Sequence, residues 1–227
     1  MSLTRTFNIT CNGITKNSLA DFGLAVGNNN YIGEPTLEEF YVDVPGGPVL
    51  DLSDALTSRP VFKQREINIE VGAMRDKDSW DSAMSDFRNM YDGQICKITF
   101  DNDTEWYWQG RVRILDFDRV KSLGTFTIFM MADAYKYKVT PIVDTYTLIG
   151  TPKQVTMRSF NIPIEPTFKT NDESMMVATW KQGLGQTAYY LTEGIEFKVP
   201  ALTTETDFRV LVDGSGSVDV IFREKSL

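Results

Sequence analysis

Apolar residues follow helical spacing convincingly at one place in this chain, and that fact most limits what it can fold into. Trp80, Ala83, Met84, Phe87, Met90 and Tyr91 fall at i, i+3, i+4, i+7, i+10 and i+11, a single apolar stripe. Asp76 or Asp78 can cap its start, and Gly93 stands where a C′ residue stops a helix. Most of the remaining chain has the period of a strand. Ile67, Ile69 and Val71 alternate with Glu66, Asn68 and Glu70, the pattern of a half-buried strand over residues 64–72. The expected fold class is therefore mainly β, with one α-helix packed on a sheet.

Other segments agree. Thr6 to Thr10 alternates and ends at the turn signal Asn12-Gly13. Phe22 to Val26 and Glu39 to Val44 read as strands; Gly27-Asn28-Asn29-Asn30 is a polar loop, and Pro45-Gly46-Gly47-Pro48 breaks the second strand. After the helix, Cys96 to Phe100 is a strand, Asp101-Asn102-Asp103 a turn, and Trp106 to Ile114 the return strand, followed by Thr125 to Met130. Near residue 138 the pattern changes. Short, proline-punctuated strands follow over 145–148, 160–164, 175–179, 188–191, 196–199, 208–212 and 217–222. Gly183-Leu184-Gly185 and Asp213-Gly214-Ser215-Gly216 supply turns. That spacing suggests a β-sandwich. The expected division is 1–138 and 139–227, with no repeat of fixed period.

Composition removes most chemistry. The chain has no histidine, so Ser-His-Asp and Cys-His triads and His-ligated zinc are out of reach. Two cysteines cannot make a Cys₄ site. Cys11 and Cys96 are read as two buried thiols, a lone disulfide being the alternative. Asp101, Asp103 and Glu105 resemble the start of a calcium loop, but Trp106 occupies the position that should be Gly, so they read as turn residues. Thirty-one acidic residues guarantee some pair at glycosidase spacing, which makes that criterion powerless. No Walker-type loop occurs, and Lys121 and Lys136 read as solvated charges. No catalytic residue, cofactor or metal is expected. On a strand, Trp106 and Trp108 share a face and Tyr107 points away, which reads as core on one side and sheet surface on the other.

A net charge of −8 and a pI near 4.7 argue against a sequence-reading nucleic-acid binder, though not against a protein that DNA slides past. The opening Met1-Ser2-Leu3-Thr4-Arg5-Thr6 lacks a signal-peptide h-region, and no apolar run is long enough to span a membrane. Synthesis in the cytoplasm, with release by lysis, is the expectation.

From Tyr41 to Lys138 the chain resembles the N-terminal, ring-forming domain of the distal tail protein family of phages that infect Gram-positive hosts. The resemblance is carried by Tyr41-Val42-Asp43-Val44-Pro45-Gly46, Leu50-Asp51-Leu52-Ser53-Asp54-Ala55-Leu56, Arg59-Pro60-Val61-Phe62, Arg65 and Trp80. It continues through Tyr91-Asp92-Gly93, Phe100-Asp101-Asn102-Asp103, Trp106-Tyr107-Trp108-Gln109-Gly110-Arg111 and Tyr135-Lys136-Tyr137-Lys138. Phe160-Asn161-Ile162-Pro163 and Gly214-Ser215-Gly216-Ser217-Val218 fit, more loosely, the galectin-like β-sandwich that such proteins carry.

The resemblance implies a virion structural protein at the phage tail tip. It implies a homohexameric ring whose bore passes double-stranded DNA without binding it specifically. Its partners are the tail tube protein and the baseplate and receptor-binding proteins, with no membrane. Six copies would carry 6 × −8 = −48 formal charges, and a carboxylate-lined bore would repel phosphate. A closed ring needs two different faces per subunit, and sheet edges are natural candidates.

Leu50, Leu52, Ala55 and Leu56 lie between Pro48 and Pro60 and cannot all hide on one short regular element. They form either a loop packed back on its own domain or an arm reaching the next subunit. The candidate interface residues are Leu50, Leu52, Leu56, Pro60 and Phe62. A different reading, a carbohydrate-binding module for host wall sugars, rests on Trp180, Tyr189 and Tyr190.

Overall fold

A computed structural model describes residues 5–53, 60–74, 77–155, 162, 164–171, 176–181, 185–198 and 208–227. The chain divides into two compact units, Met1–Tyr137 and Lys138–Ser226, with Leu227 grouped with the first.

The first unit contains β1 (Phe7–Cys11), β2 (Ile14–Asn17), β3 (Ala25–Val26), β4 (Tyr31–Ile32), β5 (Tyr41–Val42), β6 (Leu50–Asp51) and β7 (Arg65–Met74). Helix α1 (Lys77–Tyr91) follows, then β8 (Ile95–Phe100), β9 (Trp106–Val120), β10 (Leu123–Ala132) and β11 (Lys136–Lys138). The main sheet is antiparallel in the order β2-β1-β8-β9-β10-β7-β3, with β4 also on β7 and β11 on β9. Strand alternation sends Phe7, Ile9, Ile67, Ile69, Val71, Ile98, Val112, Phe126, Ile128 and Met130 into one core.

Helix α1 covers that core. Trp80, Met84, Phe87 and Tyr91 are buried, and the Phe87 and Phe126 ring centroids are 5.4 Å apart. The buried stripe is narrower than the spacing predicts. Met90 is 49% exposed and Ala83 half-buried, because Phe22 fits edge-on against Phe87 and Tyr91 and the packing ends there. Gly93, at φ +78°, ends the helix as expected. Gly124 in β10 is a position of close approach: a Cβ there would lie 2.2 Å from the Trp80 indole.

Several expectations need correction. The strand over Phe22 to Val26 shrinks to Ala25–Val26. Residues before it form tight turns, with the Asp21 and Gly23 amides donating to Asn17 and Leu19, and Gly23 at φ +63°. The strand over Glu39 to Val44 shrinks to Tyr41–Val42, since its ladder partner among the described residues is the two-residue β6. Lys136 is not simply solvated: its Nζ lies 2.8 Å from Asp103 and 5.1 Å from the centre of the Trp106 ring. Trp108 joins the core as expected, but Tyr107 on the opposite face is also buried, stacked on Tyr137 at 5.4 Å. The acids of the Asp101–Asp103 turn have protein partners, Asp101 accepting from the Arg5 and Thr6 amides.

The second unit contains β12 (Ile142–Ile149), β13 (Lys153–Gln154), β14 (Thr167–Thr170), β15 (Met176–Lys181) and β16 (Gly185–Tyr190). It ends with β17 (Phe197–Lys198), β18 (Phe208–Asp213), β19 (Ser215–Phe222) and β20 (Lys225–Ser226). Two antiparallel sheets form, β12-β19-β14-β17 and β13-β18-β15-β16. Leu148, Phe168, Val218, Val220 and Phe222 from the first sheet share one core with Val212 from the second. The expected turn at Asp213-Gly214 links β18 to β19, with Gly214 at φ +130°. The expected strand over 160–164 falls largely outside the described residues, as do Gly183 and Leu184 of the other turn. The fold class is mainly β with a helix on the first sheet, as the sequence predicts.

Candidate assembly surface

A small hairpin stands outside the main sheet of the first unit. Among the described residues, strands β5 and β6 pair only with each other, Tyr41 opposite Asp51 and Val42 opposite Leu50. Their turn follows from the sequence. Gly46, at φ +76°, follows Pro45, and the Gly47 amide donates to the Val44 carbonyl at 2.9 Å, as in a type II turn. Below the turn, the Leu52 amide donates to the Phe40 carbonyl at 2.8 Å, and Ser53 Oγ accepts from the Phe40 amide.

Two further contacts root the hairpin. Leu37 bridges Phe62, with the Glu38 amide donating to Val61 and the Lys63 amide to Thr36. Upstream, β4 lies on β7 with Tyr31 opposite Asn68 and Ile32 opposite Ile67. Phe62 presents its edge to Tyr135 at 6.2 Å.

Nine large apolar side chains between Tyr31 and Leu50 are exposed, among them Tyr41 at 56%, Val49 at 59% and Leu50 at 46%. An isolated two-stranded hairpin is marginal in water, and this one buries neither strand. Exposed apolar side chains gathered in one segment make it a candidate binding surface. Its electrostatics are local. The Glu39 carboxylate raises the Tyr41 pKa above its ordinary value, with Asp51 adding to the effect. Hydrogen bonds from Ser53 lower the Asp51 pKa.

The five interface residues expected from sequence are distributed as follows. Leu50 is exposed in β6, Pro60 is exposed, and Leu52 and Phe62 are half-buried. Leu56 lies outside the described residues. The Leu50–Phe62 segment therefore partly packs back, through Leu52 and Phe62, while Leu50 and Pro60 face solvent. Sequence reasoning did not single out Tyr31, Ile32, Phe40, Tyr41, Val42, Val44 and Val49 as surface residues. The available signal was the Glu39–Val44 run, which puts apolar side chains on both faces of a strand with little else to cover them.

In the second unit, Tyr190 is 81% exposed on β16, whereas Tyr189 is half-buried with its ring 5.2 Å from Phe197. Adjacent strand residues point to opposite sides, so the two tyrosines do not make one platform. Trp180 lies in β15 opposite Gln186, and its side chain is outside the described residues. Among the described residues, no group of three acidic or thiol side chains could hold a metal, and no helix is long and apolar enough to cross a membrane.

No protein-family model matches the chain, and no curated protein sequence is similar to it. Its structure is similar to the crystal structure of the Dit protein (gp 19.1) of phage SPP1, described as a paradigm of the hub adsorption apparatus in phages that infect Gram-positive bacteria. The TM-score is 0.62 at 12% sequence identity, over 97% of this chain and 99% of that one. The chain thus shares its fold with that Dit protein over 97% of its length.

Proposed function

We propose that the protein is a structural hub of a phage tail tip and not an enzyme. Six copies form a closed ring that joins the tail tube to the baseplate and receptor-binding apparatus and leaves a central bore for DNA. Residues 1–138 make the ring. Residues 139–227, a galectin-like β-sandwich, dock the other baseplate proteins. The protein is made in the bacterial cytoplasm and resides in the virion.

The observation that carries this reading is the exposed apolar hairpin of β5 and β6 within a fold shared with the Dit protein of phage SPP1. A ring needs heterologous contacts, one face giving and another receiving. A hairpin that buries nothing of its own is suited to be the giving face. The edge strands of the main sheet, β2 on one side and β3 with β4 on the other, are the natural receivers. Leu50 and Pro60, which face solvent, belong to this arm with Tyr41 and Val42, while Leu52 and Phe62 pack at its root. With −8 charges per copy, carboxylates facing the bore keep phosphate from adhering.

Light scattering after size exclusion, with negative-stain images, tests the ring. Wild type is expected as six-fold rings, and Val42→Ser/Leu50→Ser as a folded monomer. Rings of unchanged size in the variant would remove the hairpin from the interface. A wild type that stays monomeric even when mixed with tail tube protein would sink the hub. A second reading, wall-sugar binding, draws on the exposure of Tyr190. It predicts that Tyr190→Ala abolishes retention on host cell wall, and wild type that is not retained refutes it.

A further inference from the structure

We propose that Cys11 and Cys96 are a latent cross-strand disulfide site, closed by a small peroxide-type oxidant and opened again by thiols. This site does not depend on the hub assignment. Both thiols are free and buried. Strands β1 and β8 are antiparallel, with Ile9 opposite Ile98 and Thr10 opposite Lys97, so the next step of the ladder sets Cys11 against Cys96.

The hydrogen-bond pattern shows which kind of pair this is. The Asp101 amide donates to the Thr6 carbonyl across the same ladder at 3.2 Å, making Thr6 and Asp101 a hydrogen-bonded pair. The Ser18 amide donates to the Phe7 carbonyl, so the polar groups of Phe7 face β2 instead. Alternation then makes Phe7/Phe100, Ile9/Ile98 and Cys11/Cys96 the non-hydrogen-bonded pairs. Such pairs bring Cα atoms to about 4.5 Å, inside the roughly 4.4–6.8 Å range of disulfides. Both side chains point into the same core. Burial and the neighbouring Cys11 thiol hold the Cys96 pKa up at about 12.

The two sulfurs differ in access. Cys11 is 7% exposed, at the end of β1 beside the Asn12-Gly13 turn, whereas Cys96 is 1% exposed. Cys11 reacts first. Its thiolate attacks one oxygen of hydrogen peroxide, the O–O bond breaks, and the departing hydroxide takes a proton to become water. This leaves a sulfenic acid on Cys11. Cys96 Sγ then attacks Cys11 Sγ, the S–O bond breaks, and the hydroxyl leaves as water with the Cys96 proton. Two thiols and one peroxide give one disulfide and two waters; the sulfurs are oxidised and the peroxide oxygens reduced. Bulky disulfide reagents reach neither sulfur and react slowly.

The test treats the full-length protein with hydrogen peroxide, removes it with catalase, and unfolds the protein in an alkylating agent without reductant. The chain is expected to lose two hydrogens in mass and take up no label, against two labels before treatment. Its melting temperature should rise by several degrees and return with dithiothreitol. Dimedone should mark Cys11 in Cys96→Ala at least tenfold faster than it marks Cys96 in Cys11→Ala. Two labels per chain after peroxide, or cross-links only between chains, would overturn the proposal on wild type alone. Equal dimedone rates would overturn the order of reaction.

Discussion

Gly124 and Trp80 fit closely in the first unit. The indole is 1% exposed and stacks on Phe117 at 5.8 Å. A methyl group at 124 has no room, because the nearest atoms belong to a rigid ring and not to a flexible chain end. Gly124→Ala is therefore expected to lower stability by about 1–3 kcal/mol, seen as a lower urea midpoint at unchanged slope. Alkaline pH also weakens the first unit. Burial, reinforced by Cys96 and Cys11, raises the Tyr91 pKa to about 12, and burial does the same to Cys96. In the unfolded chain these groups ionise at about 10 and about 8.5. Above those values the unfolded state loses protons that the folded state keeps, so stability is full below about pH 8.5 and falls as pH rises toward about 12. Urea midpoints from pH 8 to 11 should show the decline, with a shallower slope in Tyr91→Phe.

At the scale of elements, α1 and the β5–β6 hairpin are opposites. The helix buries Trp80, Met84, Phe87 and Tyr91, and its place is fixed by the sheet beneath it. The hairpin buries neither of its strands. Phe87→Ala should cost about 3–5 kcal/mol, the range for an aromatic removed from a close-packed core, as measured by chemical unfolding. Val42→Ser/Leu50→Ser should change the stability of the isolated chain by no more than about 0.5 kcal/mol, since exposed sites contribute little. Together these measurements separate what holds the unit together from what it offers to a partner.

At the scale of the molecule, the described residues form two cores, one centred on Ile69, Phe87, Phe126 and Ile128, the other on Phe168, Val212, Val218 and Val220. Phe168 is fully buried. Phe168→Ala should open the second unit first: hydrogen exchange within 138–226 should accelerate at least tenfold, while the amides of β7 and β10 keep their protection. Uniform loss of protection along the chain would show the two units unfolding as one.

Periodicity made most of the fold legible. The alternation of Ile67, Ile69 and Val71 and the stripe from Trp80 to Tyr91 correctly announced a sheet with a helix on it, because burying one face demands those spacings whatever the partner. The two-residue strands β3, β5 and β6 were not legible at their true length, since a ladder extends only as far as its neighbour allows. Nor was the exposure of Tyr41, Val42 and Val49, or the burial of Tyr107 on the far side of the sheet. Hydrophobicity along a chain says that a side chain seeks cover. Only the tertiary arrangement decides whether this chain supplies that cover, as it does for Tyr107, or leaves the side chain bare, as it does for Val49.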